Sequence, residues 1–93
     1  MNIIWDEDKN AKLKKERGVS FEEVETLILQ KKYVAIVKHP KRLHQWIFLI
    51  PIHGYIHAVP FVIDDEQNIV LKTVFSSRKF NRPYGEESNE SKA

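Results

Sequence analysis

The chain has 93 residues, of which 42% are hydrophobic and 30% are charged, and its formal net charge at pH 7 is +2. A chain of this length has material for one modest hydrophobic core, so we predict a single domain over residues 1–85. The absence of cysteine from the sequence excludes disulfide bonds and thiolate metal sites, and it favours a cytoplasmic protein.

The first predicted elements are a short strand and a helix near the N-terminus. The apolar run 3–5 is too short for a secretory signal or a membrane anchor, so we predict a short N-terminal strand and no association with a membrane. Asp6 is suited to cap a helix, and basic residues followed by Gly18 are typical of a helix end. The first helix is therefore predicted over residues 7–17.

The second predicted helix begins after Ser20. Ser20 and Glu23 have the spacing of a capping box, in which each side chain accepts a hydrogen bond from the backbone N–H of the other residue. Apolar residues recur at helical spacing behind this cap, namely Phe21, Val24, Leu27 and Ile28. We predict that this helix packs on the core.

Four runs rich in β-branched and aromatic residues follow the helices. They read YVAIVKH, QWIFLIPI, YIHAVPFVI and NIVLKTVF, and turn-prone segments separate them, which is typical of a four-stranded antiparallel meander. Pro60 cannot donate to a ladder and predicts an edge or a bulge at its position. Residues 86–93 contain almost no apolar side chains, and we predict a disordered tail there. In the run NIVLKTVF, the alternation of side chains along a strand predicts one shared face for Ile69, Leu71, Thr73 and Phe75.

Charge is distributed unevenly along the chain. Residues 31–60 contain five basic side chains and no acid, whereas each flanking third contains slightly more acids than bases. All four histidines also lie in this segment. The asymmetry predicts a positive surface that binds an acidic or polyanionic partner. The alternative is that the lysines are only solvated side chains at the ends of hairpins.

The sequence lacks the strong signatures of several enzyme classes. It has no glycine-rich phosphate loop, no nucleophile elbow and no zincin helix. His53 and His57 are four residues apart, but a predicted turn separates them and no neighbouring carboxylate completes a site, so neither a metal site nor a cofactor is predicted. His57 is then either a half-buried structural residue or a proton-transfer group.

Cleavage of RNA by its own 2′-hydroxyl is a reaction that needs neither metal nor cofactor. It requires a base, a cation to stabilise the phosphorane and an acid for the leaving oxygen. The segment VFSSRKFNRPYG at 74–85 offers suitable groups, and a cation directly after a buried strand is poorly explained by packing. The candidates for charge stabilisation are Arg78, Arg82 and Tyr84, while His57 or Glu16 could transfer a proton.

Three motifs together indicate a family. An aromatic–Asp–x–x–Lys opening is present as Trp5, Asp6 and Lys9, followed by GVSFEE at 18–23 and SSRK at 76–79. With these motifs the chain resembles the BrnT-type toxins of bacterial type II toxin–antitoxin pairs, which belong to the RelE-like ribonuclease superfamily. The resemblance spans residues 3–80.

The resemblance implies a two-layer α+β fold with both helices on one face of a four-stranded antiparallel sheet. It also implies a metal-independent endoribonuclease that is restrained by a cognate antitoxin encoded next to it. The chain departs from the family pattern at two places. Arg17 stands where the family has a histidine before the glycine, and Pro83 and Gly85 shorten the basic helix that usually follows the closing motif.

Two hypotheses of function follow from these observations. The first is a toxin that cleaves free or ribosome-bound messenger RNA. The second is a non-catalytic basic module that holds an antitoxin or nucleic acid. The two departures favour this module, whereas the intact SSRK motif favours the toxin. For the first hypothesis the predicted catalytic residues are Arg78, Arg82, Tyr84 and His57. The predicted RNA-binding residues are Lys38, Lys41, Arg42, Lys72, Lys79 and Arg17.

Overall fold

The structure is a computed structural model and describes residues 1–84. The predicted tail at 86–93 lies outside the described residues. None of the helices within residues 1–84 has the length and apolar content needed to cross a bilayer. The elements in chain order are β1 (Ile3–Ile4), α1 (Glu7–Arg17), α2 (Phe21–Leu29), β2 (Ala35–Lys38), β3 (Trp46–Ile52), β4 (Tyr55–Ile63), β5 (Ile69–Leu71), β6 (Phe75–Ser76) and α3 (Arg78–Tyr84).

Local capping signals determine where the first two helices begin and end. The Asp6 carboxylate accepts the N–H of Asp8 over 2.8 Å, and Gly18 ends α1 with a positive φ of 68°. The Ser20 hydroxyl accepts the N–H of Glu23 over 3.1 Å at the start of α2. The structure confirms both predicted helices. They could be predicted because the residues that mark their ends are local in the sequence.

The sheet contains the predicted antiparallel meander but is larger and mixed. Its order is β1-β5-β4-β3-β2, with β6 paired to β4. β1 pairs in parallel with β5, where the Ile69 N–H donates to the Asn2 carbonyl over 2.8 Å. The prediction of four antiparallel strands was therefore incomplete. A two-residue strand has no periodicity from which its neighbour or direction could be predicted.

A β-bulge separates β5 from β6. β4 pairs Phe61 with Leu71 and Ala58 with Phe75, so a step of three residues along β4 matches a step of four along the other strand. Val74 shares a core cluster with Leu71, while Phe75 lies on the opposite face with Ala58. The prediction that Phe75 shares a face with Leu71 was wrong, because the extra residue inverts the alternation.

The irregularity predicted at Pro60 lies directly beside this proline and not at the proline itself. The Lys72 N–H donates to the Pro60 carbonyl over 2.9 Å, so the ladder is still regular at that point. The extra residue follows directly, between Lys72 and Val74. Pro60 therefore faces Lys72 at the last regular position before the bulge.

Two hydrophobic clusters cover the two faces of the sheet. The larger cluster joins α1 and α2 to residues such as Phe48, Ile50 and Val59, which confirms that both helices lie on one face. The smaller cluster lies on the other face, where Phe80 of α3 packs against it. Its buried members are Ile47, Leu49, Ile56 and Ala58.

The third helix is a correction to the predicted two-layer arrangement. Arg78 is the first residue of α3 and not the end of a strand, and Pro83 lies inside this helix. The Ser77 hydroxyl accepts the Phe80 N–H over 3.3 Å and the Ser77 carbonyl accepts the Asn81 N–H over 2.8 Å. A seven-residue helix with one packed aromatic is too short to give a periodic signal.

Candidate functional site

Three surface cavities meet at the bulge between β5 and β6. Residues 72–76 contribute to the wall of each one. Among the strands of residues 1–84, β6 pairs only with β4, so the cavities lie at an edge of the sheet. We call the three together the bulge groove. Bulges are frequent beside functional sites because they redirect side chains out of a regular ladder.

The histidine cavity is lined by residues from α1, β4 and the bulge. It has a volume of about 390 Å³, which lies in the range of pockets that hold small ligands. His57 and Ser76 are direct register partners across β4 and β6, so their side chains share a face. Its lining residues are Arg17, Val19, His57, Val74, Phe75 and Ser76.

His57 is held in one tautomer by its neighbour. Its Nδ1 lies 2.9 Å from the Tyr55 carbonyl oxygen, and its side chain is half-buried. Since a carbonyl oxygen can only accept, Nδ1 carries the hydrogen and Nε2 of the neutral ring is the free acceptor. The imidazole of His57 can therefore take up a proton at Nε2 without losing its orientation.

Arg17 is the cation of the histidine cavity. It is the last residue of α1, and its Nη1 donates to the Val74 carbonyl oxygen over 2.7 Å. A guanidinium carries five N–H donors, so this contact positions the group and leaves other donors for an anion. Arg17 thus connects the end of α1 to the bulge and brings a positive charge into the cavity that His57 also lines.

Two further cavities extend the positive surface. The helix cavity lies between α1 and the bulge, and the loop cavity lies between the 39–45 loop and the bulge. Such an excess of positive charge in one groove attracts a polyanion. Charged lining residues of the helix cavity are Lys9, Lys12, Glu16, Arg17 and Lys72. Basic and imidazole groups of the loop cavity are Lys9, His39, Arg42 and Lys72.

Lys9 and Lys12 were missed as site residues by the sequence analysis. Their spacing of three, followed by Glu16 four residues on, places all three on one side of α1. Lys14 instead points to α2, where its ammonium lies 3.5 Å from the Glu22 carboxylate. The cations of α1 therefore lie on different sides of the helix, and the sequence shows no single basic stripe.

The structure brings four of the predicted site residues to the bulge groove. These are Arg17, Arg42, His57 and Lys72. Two predicted RNA-binding lysines instead lie over aromatic rings. The Lys38 ammonium is 5.5 Å from the Trp46 ring and the Lys79 ammonium is 5.7 Å from the Phe80 ring.

The remaining predicted residues lie in a loop and on α3. Lys41 lies in the 39–45 loop, where its N–H donates to His39 Nδ1 over 3.1 Å. Arg78, Arg82 and Tyr84 belong to α3, and within the described part of the chain none of them lines the three cavities. The structure thus presents two separate candidate sets, one in the bulge groove and one on α3.

The described residues offer no clear metal centre. Across residues 1–84, no group of three or more His, Asp or Glu side chains is arranged to hold a metal ion. His53 does contact a carboxylate, since its Nε2 lies 3.5 Å from Glu23 of α2, but the pair is a two-residue contact at an exposed turn.

Comparisons with known proteins support one fold assignment. No family model matches the sequence, and no curated protein matches it. The crystal structure of the Brucella abortus ribonuclease toxin BrnT is similar, with a TM-score of 0.63 and 20% sequence identity over 85% of this chain and 99% of that chain. The chain has the BrnT fold. The predicted resemblance to BrnT-type toxins is thereby confirmed at the level of the fold.

Proposed function

We propose that the chain is the toxin of a type II toxin–antitoxin pair and that it cleaves RNA without a metal ion. The single observation that carries this proposal is the histidine cavity, in which His57 and Arg17 line one pocket within a basic groove. The solved neighbour is a ribonuclease toxin by name, which supports the same reaction class for this chain.

In the proposed reaction a 2′-hydroxyl attacks the adjacent phosphorus. His57 Nε2 takes the hydroxyl proton, and the P–O bond to the 5′-oxygen breaks as the new bond forms. The Arg17 guanidinium stabilises the negative charge on the phosphorane oxygens through its remaining donors. Water in the open groove protonates the leaving oxygen. The products are a 2′,3′-cyclic phosphate and a 5′-hydroxyl end.

The bulge groove also suits the proposed partners. Single-stranded RNA, either free or ribosome-bound messenger RNA, would follow the cations Lys9, Lys12, Arg42 and Lys72 through its phosphates. An antitoxin that covers the same groove needs acidic residues where it contacts these cations. Inhibition then requires only that the groove be blocked.

The proposal is tested by the products of purified protein on RNA in the presence of EDTA. We expect cleavage that ends in a cyclic phosphate and persists in the chelator. Expression alone should arrest growth, and co-expression with the product of the adjacent reading frame should restore it. Protein that is folded and free of antitoxin but leaves RNA intact would contradict the proposal.

A second candidate function is a non-catalytic module that binds nucleic acid or an antitoxin. The observation that favours it is Arg17, which replaces the histidine of the family pattern in the same pocket as His57. This alternative predicts salt-sensitive RNA binding without cleavage and without growth arrest. The two functions are therefore separated by the same product assay.

A further inference from the structure

Phe75 occupies an unusual position in the bulge groove. Phe75 is 37% exposed, and the residue lines both the histidine cavity and the loop cavity. The bulge places it on the face of Ala58, away from the larger core cluster that contains Val74. Phe75 is thus an exposed aromatic residue at the sheet edge that is shared by two pockets containing cations.

The loop cavity has the features of an anion site. Its volume is about 380 Å³, and no carboxylate is among its lining residues in the described part of the chain. His39 Nδ1 accepts the backbone N–H groups of Lys41 and Arg42, each over 3.1 Å. Nδ1 is therefore the acceptor and Nε2 of the neutral ring carries the hydrogen. His39 presents a donor alongside the cations Lys9, Arg42 and Lys72.

We propose that Phe75 is a base-stacking platform between two phosphate subsites for single-stranded RNA. The scissile phosphate lies in the histidine cavity and the neighbouring phosphate lies in the loop cavity. The base between them stacks on the Phe75 ring. Aromatic rings that alternate with cations along a groove are the usual arrangement for unpaired nucleotides, because every base offers a π-face. This inference rests on the proposed ribonuclease function.

The experiment uses an RNA octamer in which every 2′-hydroxyl is replaced by fluorine, so that binding is measured without cleavage. One position carries 2-aminopurine, whose fluorescence is quenched when it stacks, and the label is moved along the octamer. Affinity is measured by anisotropy at several salt concentrations. The variants are Phe75→Leu, which keeps an apolar side chain at this strand position, Phe75→Tyr, which keeps the aromatic face, and Arg42→Gln.

Loss of the aromatic ring and loss of a cation should change RNA binding in different ways. Phe75→Leu should weaken binding roughly tenfold and abolish the quenching at one position, while the slope of log Kd against log salt stays unchanged. Phe75→Tyr should restore both signals. Arg42→Gln should lower that slope by about 0.7, the value expected for one phosphate contact, and should keep the quenching.

The outcomes separate this inference from the proposed function. If the wild-type protein cleaves RNA and binds the octamer, but Phe75→Leu matches it in affinity and quenching, the stacking platform is refuted and the ribonuclease proposal survives. If the folded wild-type protein neither cleaves RNA nor binds the octamer, both are refuted. Circular dichroism of each variant must match the wild type. If Phe75→Leu unfolds, the label scan on the wild-type protein supplies the answer, because quenching at no label position refutes the stacking platform.

Discussion

The Nη1 atom of Arg17 donates a hydrogen bond to the carbonyl oxygen of Val74 over 2.7 Å. This contact connects the last residue of α1 to the bulge beside His57. We expect Arg17→Gln to reduce single-turnover RNA cleavage by about 100-fold or more, since it removes the charge that stabilises the phosphorane in the proposed reaction. The free energy of unfolding, measured in urea, should fall by only about 1 kcal/mol, the usual contribution of one hydrogen bond.

Two further variants make this result specific to Arg17. Lys15→Gln removes a charge from the exposed surface of the same helix and should leave cleavage unchanged. Arg78→Gln tests the competing set on α3. If Arg78→Gln abolishes cleavage while Arg17→Gln is active, the reaction takes place at α3, as the sequence pattern alone favoured.

His57→Asn should remove the base and keep the fold. The asparagine amide can still donate to the Tyr55 carbonyl, so the strand should be little disturbed. We expect the cleavage rate to fall by about 10²- to 10⁴-fold. His44→Asn, at an exposed loop position, is the matched control and should retain the wild-type rate.

Asn10 should be important for stability and not for RNA. It is 1% exposed, its Oδ1 accepts the Phe21 N–H over 2.8 Å, and its Nδ2 donates to Glu22 over 2.8 Å. Asn10→Leu leaves a buried N–H without a partner, which should cost about 1–3 kcal/mol of unfolding free energy. For a domain of this size each kcal/mol lowers the melting temperature by about 4–8 °C. An unchanged melting temperature would show that α1 and α2 dock without this contact.

The stability of the fold should decrease in acid. The side-chain hydrogen bond from Asn10 holds the pKa of Glu22 below its usual value. The Asn68 backbone N–H, assisted by the Asn68 side chain and the Glu66 N–H, does the same for the pKa of Asp64. Because both folded-state pKa values are lowered, the stabilisation is present above the unfolded pKa values, near 4, and is lost as pH falls through the folded ones.

Urea unfolding between pH 7 and pH 3 tests this sign. The urea concentration at the midpoint of wild-type unfolding should fall as the pH is lowered. Asp64→Asn should lower the midpoint at pH 7 and make the curve less steep in acid, whereas Asp65→Asn, the exposed neighbour, should leave the curve unchanged. A wild-type midpoint that increases toward pH 3 would contradict the assignment.

The parts of the fold that could be predicted are those with local signals. Asp6, Ser20 and Gly18 mark helix ends within a few residues of the atoms they satisfy. The three long runs that form β2, β3 and β4 alternate or stay apolar over enough positions to be recognised as strands. Pro60 indicated an irregularity in the sheet, but the inserted residue on the neighbouring strand could not be located, because one extra residue changes the register without changing the composition.

The candidate site was only partly predictable for a related reason. Arg17 and Val74 are separated by 57 positions in the sequence, and only the folded sheet brings them together. The sequence predicts Arg17 as an RNA-binding residue and as a departure from the family pattern, but it does not show the contact of Arg17 with the bulge. His57 could be named as a candidate, but its tautomer depends on the Tyr55 carbonyl, whose direction is set by the strand.

The pairing of β1 with β5 determines how much of the chain must be synthesised before the sheet can be completed. Residues at the start of the chain obtain their sheet partners only after residue 69 has been synthesised, since Ile3 pairs with Ile69. The contact between Arg17 and Val74 forms later still. Such contacts, distant in sequence, form slowly because a long loop must close first. A nascent chain that stops within β4 therefore lacks the assembled groove, so partial translation products should be harmless to the RNA around them.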